Sequence, residues 1–259
     1  MVESEREYYE NLYSGFAQRH FAKAAVVAFR KHLVRRILRL TGANLESRVL
    51  SVGSGTGDTE LLLAPHVCSV LGIDISPRGV EHAASTAEAQ GVTNASFRVT
   101  ELDDPALAPE SFDVIVAVFF LHHMPDRIDN DLPRRFHQLL RPGGVFYALD
   151  PSYYRLSGMV GKILFPALMK KYQTEGEEPL KPESTWQAFA RAGFNVRGSY
   201  YDFISTPLAG LLPSWKVGYG VSRFLDQALV RIPGVRLLSS NFEVLARKSI
   251  ERSIPTRAR

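Results

Sequence analysis

The chain has 259 residues, 45% of them hydrophobic, which is enough to fill the core of a large domain and too much for a disordered protein. Its 31 Lys and Arg against 27 Asp and Glu leave a formal charge of +4. No run of eighteen apolar residues is free of charge, since even GMVGKILFPALMKKY is broken by Lys162 and Pro166, so no membrane-spanning helix is expected.

The N-terminus, MVESEREYYENLY, mixes acids and bases and does not read as a signal peptide. Cys68, the one cysteine, has no partner for an internal disulfide, and a reducing, cytoplasmic setting is expected. Residues 5 to 40 read as two helical pieces. Phe29, Leu33, Ile37 and Leu40 recur at helical spacing, with Arg30, Lys31, Arg35, Arg36 and Arg39 at other positions. This N-terminal helical cap is expected to span 1–46, and TGANLES ends it.

From Arg48 the pattern becomes strand and helix in alternation. SRVLSVG, SVLGIDIS, ASFRVTE, FDVIVAVFF and VFYALDP read as strands, separated by helices at DTELLLAPH, PRGVEHAASTAEAQG and DLPRRFHQLLRPGG, the last ended by glycine. Short apolar strands joined by helices imply a parallel sheet covered on both faces, a doubly wound α/β core over 47–150.

After Pro151 the rhythm loosens. A connection, 151–184, carries its own helical segment as a cap insertion. STWQAFARAGF then reads as a helix capped by Ser or Thr and stopped at Gly193. NVRGSYYDF and NFEVLARK read as strands that return the chain to the core over 185–248. The residues between them, too many for a hairpin, are expected to form a helical lid at 206–240, and 249–259 a disordered tail. Charge is uneven: residues 1–150 hold 15 Lys and Arg against 19 Asp and Glu, residues 151–259 hold 16 against 8. A basic half suits acidic substrates, nucleic acid or anionic lipid, and does not choose among them.

The chemistry-bearing signal is VGSGTGD, where Gly53, Gly55 and Gly57 stand between a strand and a helix. Glycine lets a ligand approach the backbone closely, and a helix N-terminus favours a carboxylate or phosphate. The dinucleotide fingerprint needs a glycine where this chain has Asp58, which argues against NAD. Asp74 ends the next strand, either as a helix-capping residue or as an acceptor for two ribose hydroxyls; with the glycines before it, the ribose reading is preferred. In VTELDD, Glu101 could accept from an adenine amino group while the N–H of Leu102 donates to a ring nitrogen. Glycine turn and two acids thus fall on three successive strand ends, where open α/β sheets bind ligands.

The ordered set VLSVGSGTG, GIDIS, FRVTELDD, ESFDVIVAVFFLHHM and LLRPGGVFYALDP resembles the class I S-adenosylmethionine-dependent methyltransferase family. The resemblance implies a Rossmann-like seven-stranded sheet with an antiparallel last strand, NFEVLARK. It also implies S-adenosyl-L-methionine as cofactor and S-adenosyl-L-homocysteine as product. The expected cofactor residues are Ser51, Gly53, Ser54, Gly55, Thr56, Gly57, Asp74, Ile75, Glu101, Leu102, Val118 and Phe119. Ser51 departs from the family, which usually has an acid there, so the cofactor's amino group needs another partner: a water or an N-terminal residue.

FFLHHM replaces the Asn/Asp-Pro-Pro-aromatic run of many amide and nucleobase N-methyltransferases, which disfavours nucleic acid as a partner. Methyl transfer needs a nucleophile held in line and a group to take its proton, for which His123, His122 and then Asp150 are the candidates. Tyr9, Tyr13 and His20 could reach the same cleft. Tyr153, Tyr154, Phe165, Trp186, Trp215, Tyr219 and Phe224, beside Lys162, Lys170, Lys171, Lys216 and Arg223, are expected to build an apolar, basic acceptor pocket. The expected activity is O-methylation of a small, fairly apolar molecule. The alternatives are methylation of a lipid or lipid-linked acceptor at a membrane, with peripheral contact through the basic half, and a non-catalytic cofactor-binding protein. No ligand cluster for a metal is visible, and none is expected.

Overall fold

The computed structural model describes residue 13, residues 16–159 and residues 178–250. The sheet strands are β1 (Arg48–Val52), β2 (Ser69–Asp74), β3 (Ala95–Val99), β4 (Phe112–Val118), β5 (Leu140–Pro151), β6 (Phe194–Asp202) and β7 (Asn241–Lys248). They lie in the order β3-β2-β1-β4-β5-β7-β6. β1 to β5 are parallel, and β7 runs antiparallel to both β5 and β6.

β4 is mostly Val, Ile and Ala, β1 carries Val49, Leu50 and Val52, and β5 is buried from Phe146 to Leu149, because both faces of these strands are covered. Leu50 and Val52 of β1, Ile115 and Ala117 of β4, and Phe146 and Ala148 of β5 share one core with Phe136, Phe189 and Phe242. The alternate residues Val49, Val114, Val116, Tyr147 and Leu149 share the other with Phe29, Leu33 and Ile37. Period-two alternation therefore divides one apolar run between two cores.

In chain order the helices are α1 (Phe16–Phe21), α2 (Ala24–Thr41), α3 (Asp58–Leu63), α4 (Pro77–Ala89), α5 (Pro125–Ile128), α6 (Leu132–Leu139), α7 (Pro182–Arg191), α8 (Ser205–Leu211) and α9 (Lys216–Leu229). α2 buries Ala25, Phe29, Leu33 and Ile37 at helical spacing and stops where Gly42 turns left-handed at φ 77°. α8 and α9 fill the expected lid between β6 and β7.

Two boundaries differ from expectation. α6 ends at Leu139, before any glycine, and Leu140–Gly144 already belongs to β5. Pro142 cannot continue a helix and pushes the residue before it to extended backbone. α7 starts at Pro182, with Lys181 as its N-cap, rather than at a Ser or Thr cap. Proline's fixed φ suits the first helical position, and the Ser184 and Thr185 hydroxyls instead donate back to the Lys181 carbonyl. Tyr9, Phe165, Lys162, Lys170 and Lys171, the centre of the 151–184 connection and the tail from 251 onward lie outside the described residues.

Candidate active site

Strand order reverses between β1 and β4, and at the carboxyl ends of these strands lies a cavity of about 570 Å³, a size suited to a small molecule. Ser51, Gly53, Ser54, Gly55, Thr56, Asp74, Ile75, Glu101, Leu102, Val118 and Phe119 all line it. Gly57 does not: it caps α3 at φ 77°, and a Cβ there would meet Ala83 and Phe97 within 3 Å, so this glycine serves helix packing.

The turn after β1 is made by close approach. A Cβ on Gly53 would come within 2.8 Å of the Phe120 ring, and one on Gly55 within 2.6 Å of the Tyr13 hydroxyl. Phe120 reaches this position because Phe119 turns the chain left-handed at φ 54°, a strain of about 1–3 kcal/mol stored beside the cavity. The Asp74 carboxylate accepts from the Gly55 N–H at 2.7 Å and from the Ser76 N–H at 2.9 Å. It therefore braces the glycine turn, while the cap of α4 is Ser76.

Glu60, which the sequence reasoning missed, stands where Ser51 lacks an acid. It is 4% exposed, lines the cavity and accepts from the Ser51 hydroxyl at 2.5 Å. Burial pushes its carboxyl up to about 6. A signal was available: an acid in the first turn of the helix that follows a glycine turn can point back to the preceding strand. Arg30, from α2, also lines the cavity and donates to Thr59 Oγ1 at 2.5 Å. Its Nε is buried without a hydrogen-bond partner, as is Ser54 Oγ. Buried polar atoms are normally paired, so these two fit a polar ligand. No local signal marked Arg30, because its place depends on how the cap docks.

His122 and His123 lie on a short 3₁₀ turn, Leu121–His123, after β4, and both line the cavity. His122 Nδ1 sits 2.8 Å from Asp150 Oδ1, and its backbone N–H donates to the same oxygen at 3.2 Å. Asp150 is 1% exposed and lies behind His122; burial raises its carboxyl well above the usual carboxylate range. One hydrogen bond joins the buried carboxyl to the His122 ring, and the tautomer sets which of the two donates. His123 stacks on His122 with ring centroids 4.0 Å apart, and burial followed by the neighbouring His122 lowers it to about 3. It stays neutral near neutral pH.

Tyr13 and His20 line the cavity as expected. Burial, then the Asp74 charge, raises the Tyr13 phenol far above its ordinary value, so it stays protonated and is no base. The expected aromatic acceptor pocket is not where these rings go. Trp186 packs on Tyr200 and Phe242 and donates to the Glu243 carbonyl at 2.9 Å. Tyr219 is buried in the core, Tyr153, Tyr154, Trp215 and Phe224 are exposed, and Arg223 is buried against the Tyr201 carbonyl. The non-core wall is formed instead by Phe21, Val26 and Phe29 with Thr206, Ala209 and Gly210 of α8.

A seven-stranded, doubly wound sheet in this order, with a glycine turn after β1 and carboxylates at the next two strand ends, defines a Rossmann-like methyltransferase fold. Residues 49–144 match the family described as Methyltransferase domain. An uncharacterized methyltransferase, YcgJ, of Bacillus subtilis is 30% identical over 114 residues, covering 44% of each chain. A ubiquinone biosynthesis O-methyltransferase of Pseudomonas syringae is 28% identical over 160 residues, 60% of this chain and 68% of that one. The crystal structure of YcgJ superposes with a TM-score of 0.58 at 18% identity, over 84% of this chain and 98% of that one. The chain thus spans about half the length of the first curated relatives it matches.

Proposed function

We propose that the chain transfers a methyl group from S-adenosyl-L-methionine to a hydroxyl of a small, fairly apolar acceptor. The observation that carries this reading is the His122–Asp150 pair, whose His122 lines the same cavity as the glycine turn. The cofactor supplies a methyl group on a positively charged sulfur. The chain's residues would hold it along its length: Glu101 and the Leu102 N–H at the adenine, Asp74 at the ribose hydroxyls. Ser54 and Thr56 lie beside the methionine part. That part is a zwitterion; of the acids and bases that line the cavity, Glu60, beside Ser51, would take the ammonium and Arg30 the carboxylate.

For that methyl group to pass to an acceptor oxygen, the chain's residues would hold the oxygen in line and take up its proton. The hydroxyl proton must leave. With Asp150 ionised and accepting from the His122 Nδ1–H, Nε2 would be the proton acceptor. His123, kept neutral, puts no competing charge beside it. The apolar wall of Phe21, Val26, Phe29 and Met124 excludes water and suits an acceptor without much charge. The likeness to the ubiquinone biosynthesis O-methyltransferase supports an oxygen nucleophile.

The test is incubation with methyl-labelled cofactor and a panel of hydroxylated aromatics, aliphatic alcohols, amines and peptides. Label on the hydroxylated compounds, lost in His122→Ala, is expected. Turnover confined to amines or peptides would reject the reading.

A further inference from the structure

α9 has its polarity inverted. Its inner face buries Ser222, Arg223 and Asp226. Asp226 accepts from the N–H groups of Phe203, Ile204 and Ser205 at 2.9–3.0 Å. Arg223 donates to the Tyr201 carbonyl at 2.8 Å and to His32 Nε2 at 3.1 Å. These polar contacts fix the helix to the body, as apolar contacts do in an ordinary surface helix. The outer face is apolar: Val217, Val221, Phe224 and Leu225 recur at helical spacing with exposures of 73%, 57%, 74% and 47%. Twelve of the nineteen exposed large hydrophobic side chains among the described residues fall between 204 and 238, with Leu211 and Trp215 continuing the stripe. Scattered exposed leucines need no explanation, but a contiguous face of this kind marks an interaction surface.

Charge selects the occupant. The exposed charged residues between 203 and 240 are Lys216, Arg231 and Arg236, all basic, while the one acid there, Asp226, is buried. α2, which packs against α9, adds exposed Lys31, Arg35 and Arg39 and contains no acid. A second copy would set this all-basic rim against the same rim, because a two-fold interface buries the same patch on both subunits. An apolar stripe rimmed by bases instead matches an anionic lipid surface, with the side chains entering the acyl boundary and the bases meeting the headgroups. We propose that the outer face of α8 and α9, with the residues leading to β7, docks the protein on anionic membranes. α8 also supplies Thr206, Ala209 and Gly210 to the cavity, so docking sets an edge of the cavity at the lipid surface. The docking does not depend on methyl transfer and is measured without cofactor or acceptor.

The test is co-sedimentation of the full chain with vesicles of phosphatidylcholine alone and of phosphatidylcholine with phosphatidylglycerol. Binding to the anionic vesicles is expected, with release by added salt. The double variant Val221→Ser/Phe224→Ser should lower partitioning about tenfold or more. Lys216→Ser and Arg231→Ser should lower it about fivefold each, and Leu45→Ser, an equally exposed leucine away from this face, should leave it unchanged. Any of three results would overturn the proposal: no binding to either vesicle, binding undiminished in the stripe variant, or a native dimer that the stripe variant converts to monomer.

Discussion

Glu60→Gln separates the two ends of the cofactor seat. The native carboxylate is 4% exposed, and burial pushes it up to about 6 from the ordinary 4.5 of a glutamate. For an acid whose folded pKa is raised, stability falls as pH rises from the unfolded value through the folded one. At pH 7.5 holding this charge therefore costs the ligand-free protein about 2 kcal/mol. A glutamine keeps the shape and an oxygen for the Ser51 hydroxyl, so the variant should melt no lower than the parent and somewhat higher at pH 7.5. Its cofactor binding should suffer: a hydrogen bond to a charged group contributes about 1.5–3 kcal/mol, or roughly 10- to 150-fold in affinity. Calorimetry should show that loss for S-adenosylhomocysteine and none for 5′-methylthioadenosine, which lacks the amino-acid part. In the parent, S-adenosylhomocysteine affinity should weaken as pH falls below about 6, when Glu60 takes up a proton. Equal weakening of both ligands, or a less stable apoprotein, would refute the assignment.

Three further outcomes follow from the geometry. Asp150→Asn should leave S-adenosylhomocysteine affinity within about twofold, while turnover of any accepted hydroxyl compound drops about 10²- to 10⁴-fold, since a neutral amide cannot stabilise the charge His122 gains on taking the proton; an unchanged rate would remove the pair from the chemistry. Gly55→Ala places a Cβ at φ 51° and 2.6 Å from the Tyr13 hydroxyl, so it should cost about 1 kcal/mol or more in thermal unfolding and weaken cofactor binding. His32 is lowered to about 4 by burial and then by Arg223 and Arg35; its stabilising contribution is full above pH 6.5 and lost as pH falls toward 4, and NMR titration of its ring should show no midpoint near 6.5.

The sheet was legible because β1, β4 and the 145–149 run of β5 are too apolar for surface strands and too short for buried helices, with Gly53 after the first and Gly144 and Pro151 around the last. The antiparallel β7 came from resemblance; its own sequence carries no directional mark. The glycine turn and the strand-end acids could be read locally, since each lies within a few residues of a strand end. Asp74 was legible as a position and not as a contact: its bond to Gly55 spans 19 residues and depends on the β1–β2 pairing. Glu60 and Arg30 escaped because their approach to Ser51 and Thr59 is set by helix phase and by the docking of α2. The aromatic acceptor pocket failed for a related reason. Composition places Trp186, Tyr219 and Phe224 in the right segments, but burial is decided by which face each helix turns inward. In α9 the polar face won, because Asp226 and Arg223 satisfy backbone groups of the β6–α8 turn that would otherwise be buried unpaired.

The central claim is that an adenosyl cofactor lies across the ends of β1, β2 and β3, and amide hydrogen exchange with and without S-adenosylhomocysteine tests it most directly. Slowed exchange in peptides covering 51–57, 73–76 and 100–103, with 216–238 unchanged, is the result predicted. Exchange unaltered by saturating ligand, or slowed only outside those three segments, would contradict it.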